Sequence, residues 1–178
     1  MISWRTGGLL LLVLAGLVVY AYATRPVPAT PRPPAASFLP CPSVDLVLVR
    51  VEGGGRATQL ERASGRDAWR VTQPVAGPAD PDQASYLIES IDSIKALNTL
   101  GSSVPSAGLE SPREILTCRV KGGGSYTLSI GNPSFDGSGY YARRSGDSRV
   151  YVISSVEVDA FDHALAEPPV KPPPSPST

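Results

Sequence analysis

Few residues in this chain have the type and spacing to do covalent chemistry. His163 is the single histidine, so a Ser-His-Asp or Cys-His mechanism would have to be built on it. It falls in a short final helical stretch beside a proline-rich tail, where an exposed polar face accounts for it. One histidine and two cysteines without CxxC spacing give no ligand set for a transition metal. Asp80 with Asp82, and Glu89 with Asp92, have the look of carboxylate pairs for acid–base work. Helix capping explains the first pair and the polar side of a helix explains the second. Gly53-Gly54-Gly55 and Gly122-Gly123-Gly124 lack the Lys-Ser/Thr ending and following helix of a phosphate loop, and read as hairpin turns. Asp136-Gly137-Ser138-Gly139 lacks the Gly-x-Ser-x-Gly order of a nucleophile elbow. No catalytic, cofactor-binding or metal-ligating residue is assigned, and no small-molecule ligand is evident.

Two features remain. Tyr140, Tyr141, Arg143, Arg144, Arg149 and Tyr151 cluster on one hairpin, and tyrosine and arginine are enriched in binding hot spots. They form either an interaction surface or an ordinary cross-strand ladder covering a sheet face. Cys41 and Cys118 either pair in an oxidising compartment, closing a long loop, or stay as thiols with Cys118 buried on a strand.

The elements carrying these residues follow from periodicity. Val44 to Val51 is apolar on both faces, as in a central or doubly covered strand. The first glycine turn leads into Arg56–Arg62, and Ala68–Val75 returns as a third strand with Trp69 and Val71 inward, making a meander. Asp80 as N-cap, Pro81 at the first helical position and Gln83 as a capping-box partner open a helix. Its stripe of Ala84, Leu87, Ile88, Ile91 and Ile94 should lie on the sheet, and Gly101 is placed to end it. Further strands are expected at Glu114–Lys121, with Leu116, Cys118 and Val120 on one face, and at Ser125–Ile130, Gly139–Arg144 and Arg149–Ile153. Ser154 and Glu157 open a short last helix that buries Val158, Phe161 and Leu165. Arg50-Val51-Glu52-Gly53-Gly54-Gly55 is echoed by Arg119-Val120-Lys121-Gly122-Gly123-Gly124, suggesting a degenerate internal repeat. The expected fold class is thus α+β, an antiparallel meander sheet against one long and one short helix.

The flanks set the compartment. Leu9 to Ala23, LLLLVLAGLVVYAYA, is uncharged, and from Gly7 it would span about 25 Å as a helix. With Trp4, Arg5, Tyr20 and Tyr22 at its ends it reads as a single transmembrane helix. Ala21-Tyr22-Ala23 also fits a signal-peptide cleavage pattern; both readings carry the domain across the membrane. Residues 24–42 form a proline-rich stalk, 43–166 the α+β domain and 167–178 a disordered proline-rich tail. Sixteen Lys and Arg balance sixteen Asp and Glu, which argues against a generic nucleic-acid binder.

The WRVTQPV strand from Trp69, the helix opening ADPDQASYLIESI, Gly108-Leu109-Glu110-Ser111-Pro112 and LSIGNPSFDGSGYYARRSGDSRVYVISSVEVDAF from Leu128 to Phe161 complete the pattern. Together, over most of residues 44–165, they resemble the bacterial membrane-anchored family called domain of unknown function 4340. That resemblance implies no activity, catalytic residue or cofactor. It does imply a role beside a membrane complex, since some members resemble accessory parts of transporter systems of the gliding-motility type. The expectation is a membrane-anchored protein with its domain on the periplasmic side, acting as a non-catalytic interaction or accessory module. The alternatives are a binding protein released after signal cleavage, or a hydrolase using carboxylates.

Overall fold

The computed structural model describes residues 38–172. The expected membrane segment, residues 24–37 of the stalk and residues 173–178 of the tail lie outside the described residues. Among those described, no helix is long and apolar enough to cross a membrane.

The elements run β1 (Leu46–Gly53), β2 (Arg56–Glu61), β3 (Arg70–Gln73), β4 (Gly77–Pro78), α1 (Pro81–Ser93) and β5 (Ala96–Thr99). A 3-10 turn at Pro105–Ala107 precedes β6 (Glu114–Val120), β7 (Ser125–Pro133), β8 (Gly139–Arg144), β9 (Tyr151–Ser154) and α2 (Ser155–Ala166). The nine strands make one sheet in the order β4-β3-β2-β1-β6-β7-β8-β9-β5. Every pairing is antiparallel. This is the α+β meander the alternation of the strands predicts.

Apart from β5 at one edge, the order is symmetric about the β1–β6 pair. Along the chain β1–β4 with α1 and β6–β9 with α2 follow the same order of four strands and a helix, and β5 is the additional strand between them. Val49 lies opposite Cys118, and these two are offset in sequence by the same amount as the two Arg-Val-x-Gly-Gly-Gly segments. The local two-fold relation therefore passes through that pair.

One face of the sheet carries the main core. Leu46, Val49, Val51, Leu60, Leu116, Cys118, Leu128 and Ile130 point into it, with Ala84, Leu87, Ile88, Ile91 and Ile94 of α1 and Val158, Phe161 and Leu165 of α2. Each large apolar side chain so buried contributes roughly 1.5–3 kcal/mol. An irregularity between Leu46 and Leu48 lets both Leu46 and Val49 turn inward, so Val47 is only half-buried and the strict alternation expected for β1 fails there. A smaller core on the other face joins Ala107 and Leu109 of the covering loop to Tyr141, Val150 and Val152.

Asp80 caps α1 by accepting from the backbone N–H of Asp82 and Gln83, both at 3.1 Å. Ser154 caps α2 by accepting from Val156 N–H at 3.1 Å. The expected end of α1 at Gly101 is wrong. The helix stops at Ser93, Ile94 turns extended with ψ 124°, and residues 96–99 pair with β9 as β5. The buried Ile94 and the pairing needs of the otherwise open β9 edge outweigh helical propensity in this stretch.

The folded body reaches further into both flanks than expected. Leu39 and Cys41 of the supposed stalk are buried in the core, and Phe38 packs against it. At the other end Pro169 is buried, Asp80 N–H donates to Pro169 O at 2.9 Å, and Val170 bridges Ala79. Proline does not prevent this, because the contacts use its ring and carbonyl rather than an N–H. Cys41 and Cys118 are joined by a disulfide across a sequence separation of 77.

Closing a loop of that length restricts the unfolded chain by up to about 4 kcal/mol. Reducing the disulfide, or replacing both cysteines by alanine, is expected to lower the unfolding free energy by that order in urea titrations. An unchanged midpoint would show that the bridge contributes nothing.

Candidate functional site

Alternation along β6 sends Glu114 to the same side as Leu116 and Cys118, into the core. Its side chain is 2% exposed. Arg113 Nε lies 3.0 Å from one carboxylate oxygen, but neither oxygen has a partner in hydrogen-bonding geometry. A buried carboxyl without such partners is costly. Burial foremost, and then the neighbouring Asp162 carboxylate, push Glu114 up to about 7 against the opposing pull of Arg113. Asp162 comes from α2, where Arg113 Nη2 donates to it. Arg113 also donates to the Tyr140 hydroxyl at 2.9 Å and lies over that ring at 5.0 Å.

Arg113, Glu114 and Asp162 border a cavity of about 380 Å³ whose wall is completed by Gly53, Gly54, Arg56, Leu165 and Ala166. The sheet register explains the opening. Arg56 of β2, Gly53 of β1 and Glu114 of β6 form one cross-strand row, and the middle position has no side chain. A Cβ on Gly53 would lie 2.8 Å from Glu114 Cγ and 3.0 Å from Leu165 Cδ1. Two acidic groups and two guanidinium groups thus meet at the end of α2. The arrangement keeps a buried carboxyl, pushed up to about 7 chiefly by burial, beside the Arg113–Asp162 ion pair.

The tyrosine–arginine hairpin does not present one surface. Tyr141 is buried in the smaller core, and Arg143 on the same face lies 3.8 Å from Glu110. Tyr140, Arg144 and Tyr151 share the helix-bearing face. Arg144 donates to Phe38 O at 2.8 Å, to Asp147 at 2.7 Å and to the Tyr151 hydroxyl at 3.0 Å. The Phe38 ring meets Tyr151 edge-on at 5.0 Å. Arg149, Tyr151 and Arg144 all donate to Asp147, and together hold its carboxyl well below the usual carboxylate range. This half of the hairpin binds the chain's own N-terminal segment.

The other candidates fall where capping and exposure place them. His163 is exposed on α2, 3.9 Å from Glu167. Asp80 is a cap, Asp82 and Glu89 are exposed, and Asp92 accepts from Ser43 N–H at 3.1 Å. Glu114 belongs to no motif and is the residue that sequence reasoning misses, although it shares the parity of Leu116 and Cys118. A charged residue in phase with a buried stripe is the signal for it. Among the described residues no group of three or more His, Cys, Asp or Glu is arranged to hold a metal ion.

The molecule is thus an antiparallel α+β domain with a buried carboxyl in a pocket at the end of its last helix. Residues 69–167 match the model of the family described as Domain of unknown function (DUF4340), and the chain belongs to that family. The match begins at Trp69, so it includes Arg113, Glu114 and Asp162 and leaves out β1, β2 and Cys41. No curated protein and no solved structure matches the chain.

Because Glu114 titrates higher folded than unfolded, its contribution to stability is complete below its unfolded value of about 4.5 and is lost as pH rises through about 7. Each tenfold difference in proton affinity between the folded and unfolded chains corresponds to about 1.4 kcal/mol, so the loss is on the order of 3 kcal/mol. Urea unfolding between pH 4 and 8 should show this decline, and Glu114→Gln should flatten it. An equally steep decline in the variant would refute the assignment.

Proposed function

We propose that this protein is a non-catalytic interaction or accessory module of a membrane complex in the bacterial cell envelope, transporter complexes included. Leu9 to Ala23 holds it in the membrane, with the folded domain on the periplasmic side. The observation that carries this reading is the Cys41–Cys118 disulfide, since such bonds persist in oxidising compartments and are rare in the cytosol. The uncharged apolar segment supports it independently.

A second reading, a carboxylate-dependent hydrolase, draws on the convergence of Glu114 and Asp162 at one cavity. Against it, Asp162 is engaged by Arg113, and the Glu114 side chain is 2% exposed, which keeps its carboxyl away from a substrate.

Fractionation of cells, with maleimide labelling of thiols before and after reduction, tests the first reading. The full-length chain is expected in the membrane fraction, with both cysteines labelled only after reduction and a protein partner cross-linked reproducibly. Full-length protein in the cytosol with free thiols would overturn it. A mature N-terminus at residue 24 in the soluble fraction would select the released binding protein instead.

A further inference from the structure

A second cavity, of about 580 Å³, opens on the side of the sheet away from the helices. Glu61, Arg70 and Arg119 alternate with Leu60, Val71 and Cys118, which face the main core, and so point to that side. Register sets them in one row, Arg70–Glu61–Leu48–Arg119, running from β3 through β2 and β1 to β6. Arg62 and Lys121 border the same cavity, and Val47, Ala63 and Val120 supply apolar lining. Four cations therefore face one carboxylate, in a chain whose charges balance at sixteen each. Among the described residues every ion pair is made elsewhere. Arg62 donates to the carbonyls of Leu46 at 2.7 Å and Gly65 at 2.8 Å, and to that of Ser43, which fixes its charge in place. Arg70, Arg119 and Lys121 are exposed, and among the described residues no acceptor takes up their side chains.

We propose that this cavity binds a polyol carrying two separated phosphate groups, one held by Arg70, the other by Arg119 and Lys121, with a hydroxyl donating to Glu61. A concave surface lined mainly by one sign of charge raises the local concentration of anions. Guanidinium forks match phosphate oxygens with parallel N–H donors. Arg70 and Arg119 stand three strand spacings apart, about 14 Å between backbones, and Glu61 lies between them in the row. An ionised carboxylate only accepts hydrogen bonds, so it repels a phosphate at the centre and takes a hydroxyl there. The positive charge is thereby divided into two poles. Two phosphate monoesters carry about −3 to −4 at neutral pH, which matches the excess of four cations over one carboxylate; two carboxylates carry less. An acidic peptide would also lay its backbone groups over a sheet whose own N–H and C=O groups are already paired. A cavity of about 580 Å³ is in the middle of the range for small-ligand sites. The site is made by the folded domain alone, whatever anchors it.

The test is calorimetry on the full chain in detergent micelles with fructose 1,6-bisphosphate. Fructose 6-phosphate, pyrophosphate and hexane-1,6-diol bisphosphate are the controls, lacking the second phosphate, the spacer and the hydroxyls in turn. The sugar bisphosphate is expected to bind at least about tenfold more tightly than the first two and severalfold more tightly than the third. Arg70→Ala and Arg119→Ala, at exposed positions that keep the fold, should each weaken binding by about tenfold or more. Arg66→Ala, at an exposed cation outside the cavity, should leave it unchanged. Mixed micelles carrying phosphatidylinositol 4-phosphate separate the two sources of such a group. Binding to them alone selects a lipid headgroup, and binding of the soluble sugar selects a free ligand. Absence of binding to the folded chain by the sugar and the lipid alike would overturn the proposal. So would a control that binds as tightly, or a loss from Arg66→Ala as large as that from Arg119→Ala.

Discussion

The pairing of β1 with β6 is the constraint on which the rest of this fold rests. It joins a run of four strands to a run of five that otherwise have no direct strand partner in common, and both helices cover the face it presents. Its inward side chains, Val49, Val51, Leu116 and Cys118, are at most 1% exposed. Register is strictly specified in such a pair, because a slip of one residue would turn every one of them to the opposite face. The cavity beside Glu114 is a product of the same register. Arg56, Gly53 and Glu114 form a row only because both pairings of β1 are aligned as they are.

Much of this was legible from the residues. Alternation located the long strands, and the Asp80-Pro81 and Ser154 caps located both helix starts, because capping is a local matter of side chain and backbone. What was hidden depends on contacts distant in sequence. Ala96 to Thr99 carries no strong strand signal of its own, and becomes a strand because β9 needs an outer partner. Pro169 and Val170 look like spacer residues until Asp80 and Ala79 are seen to meet them. Arg144 and Tyr151 look like surface residues, yet their partner is Phe38, over a hundred positions away. Composition alone cannot reveal a contact of that kind.

The site was legible in one half. The parity of Glu114 with Leu116 and Cys118 marks it as inward-facing on sequence grounds, and an inward acid has to be explained by a partner, a proton or a ligand. Its neighbours in space come from three other elements: Arg56 beyond a glycine turn, Asp162 on the final helix and Tyr140 on β8. Only the assembled sheet brings them together. The family match reaches Glu114 and Asp162 and stops short of Arg56 and Gly53, so three of the eight residues bordering the pocket belong to the stretch that precedes the matched region.

The covalent link at Cys41 has a mechanical consequence. Tension that pulls Phe38 and Leu39 out of their contacts passes through the disulfide to Cys118, in the interior of the sheet, and bypasses both outer strands. A chain pulled from that side cannot be unzipped one edge strand at a time. The load is delivered instead to β6, which is paired with β1 on one side and β7 on the other.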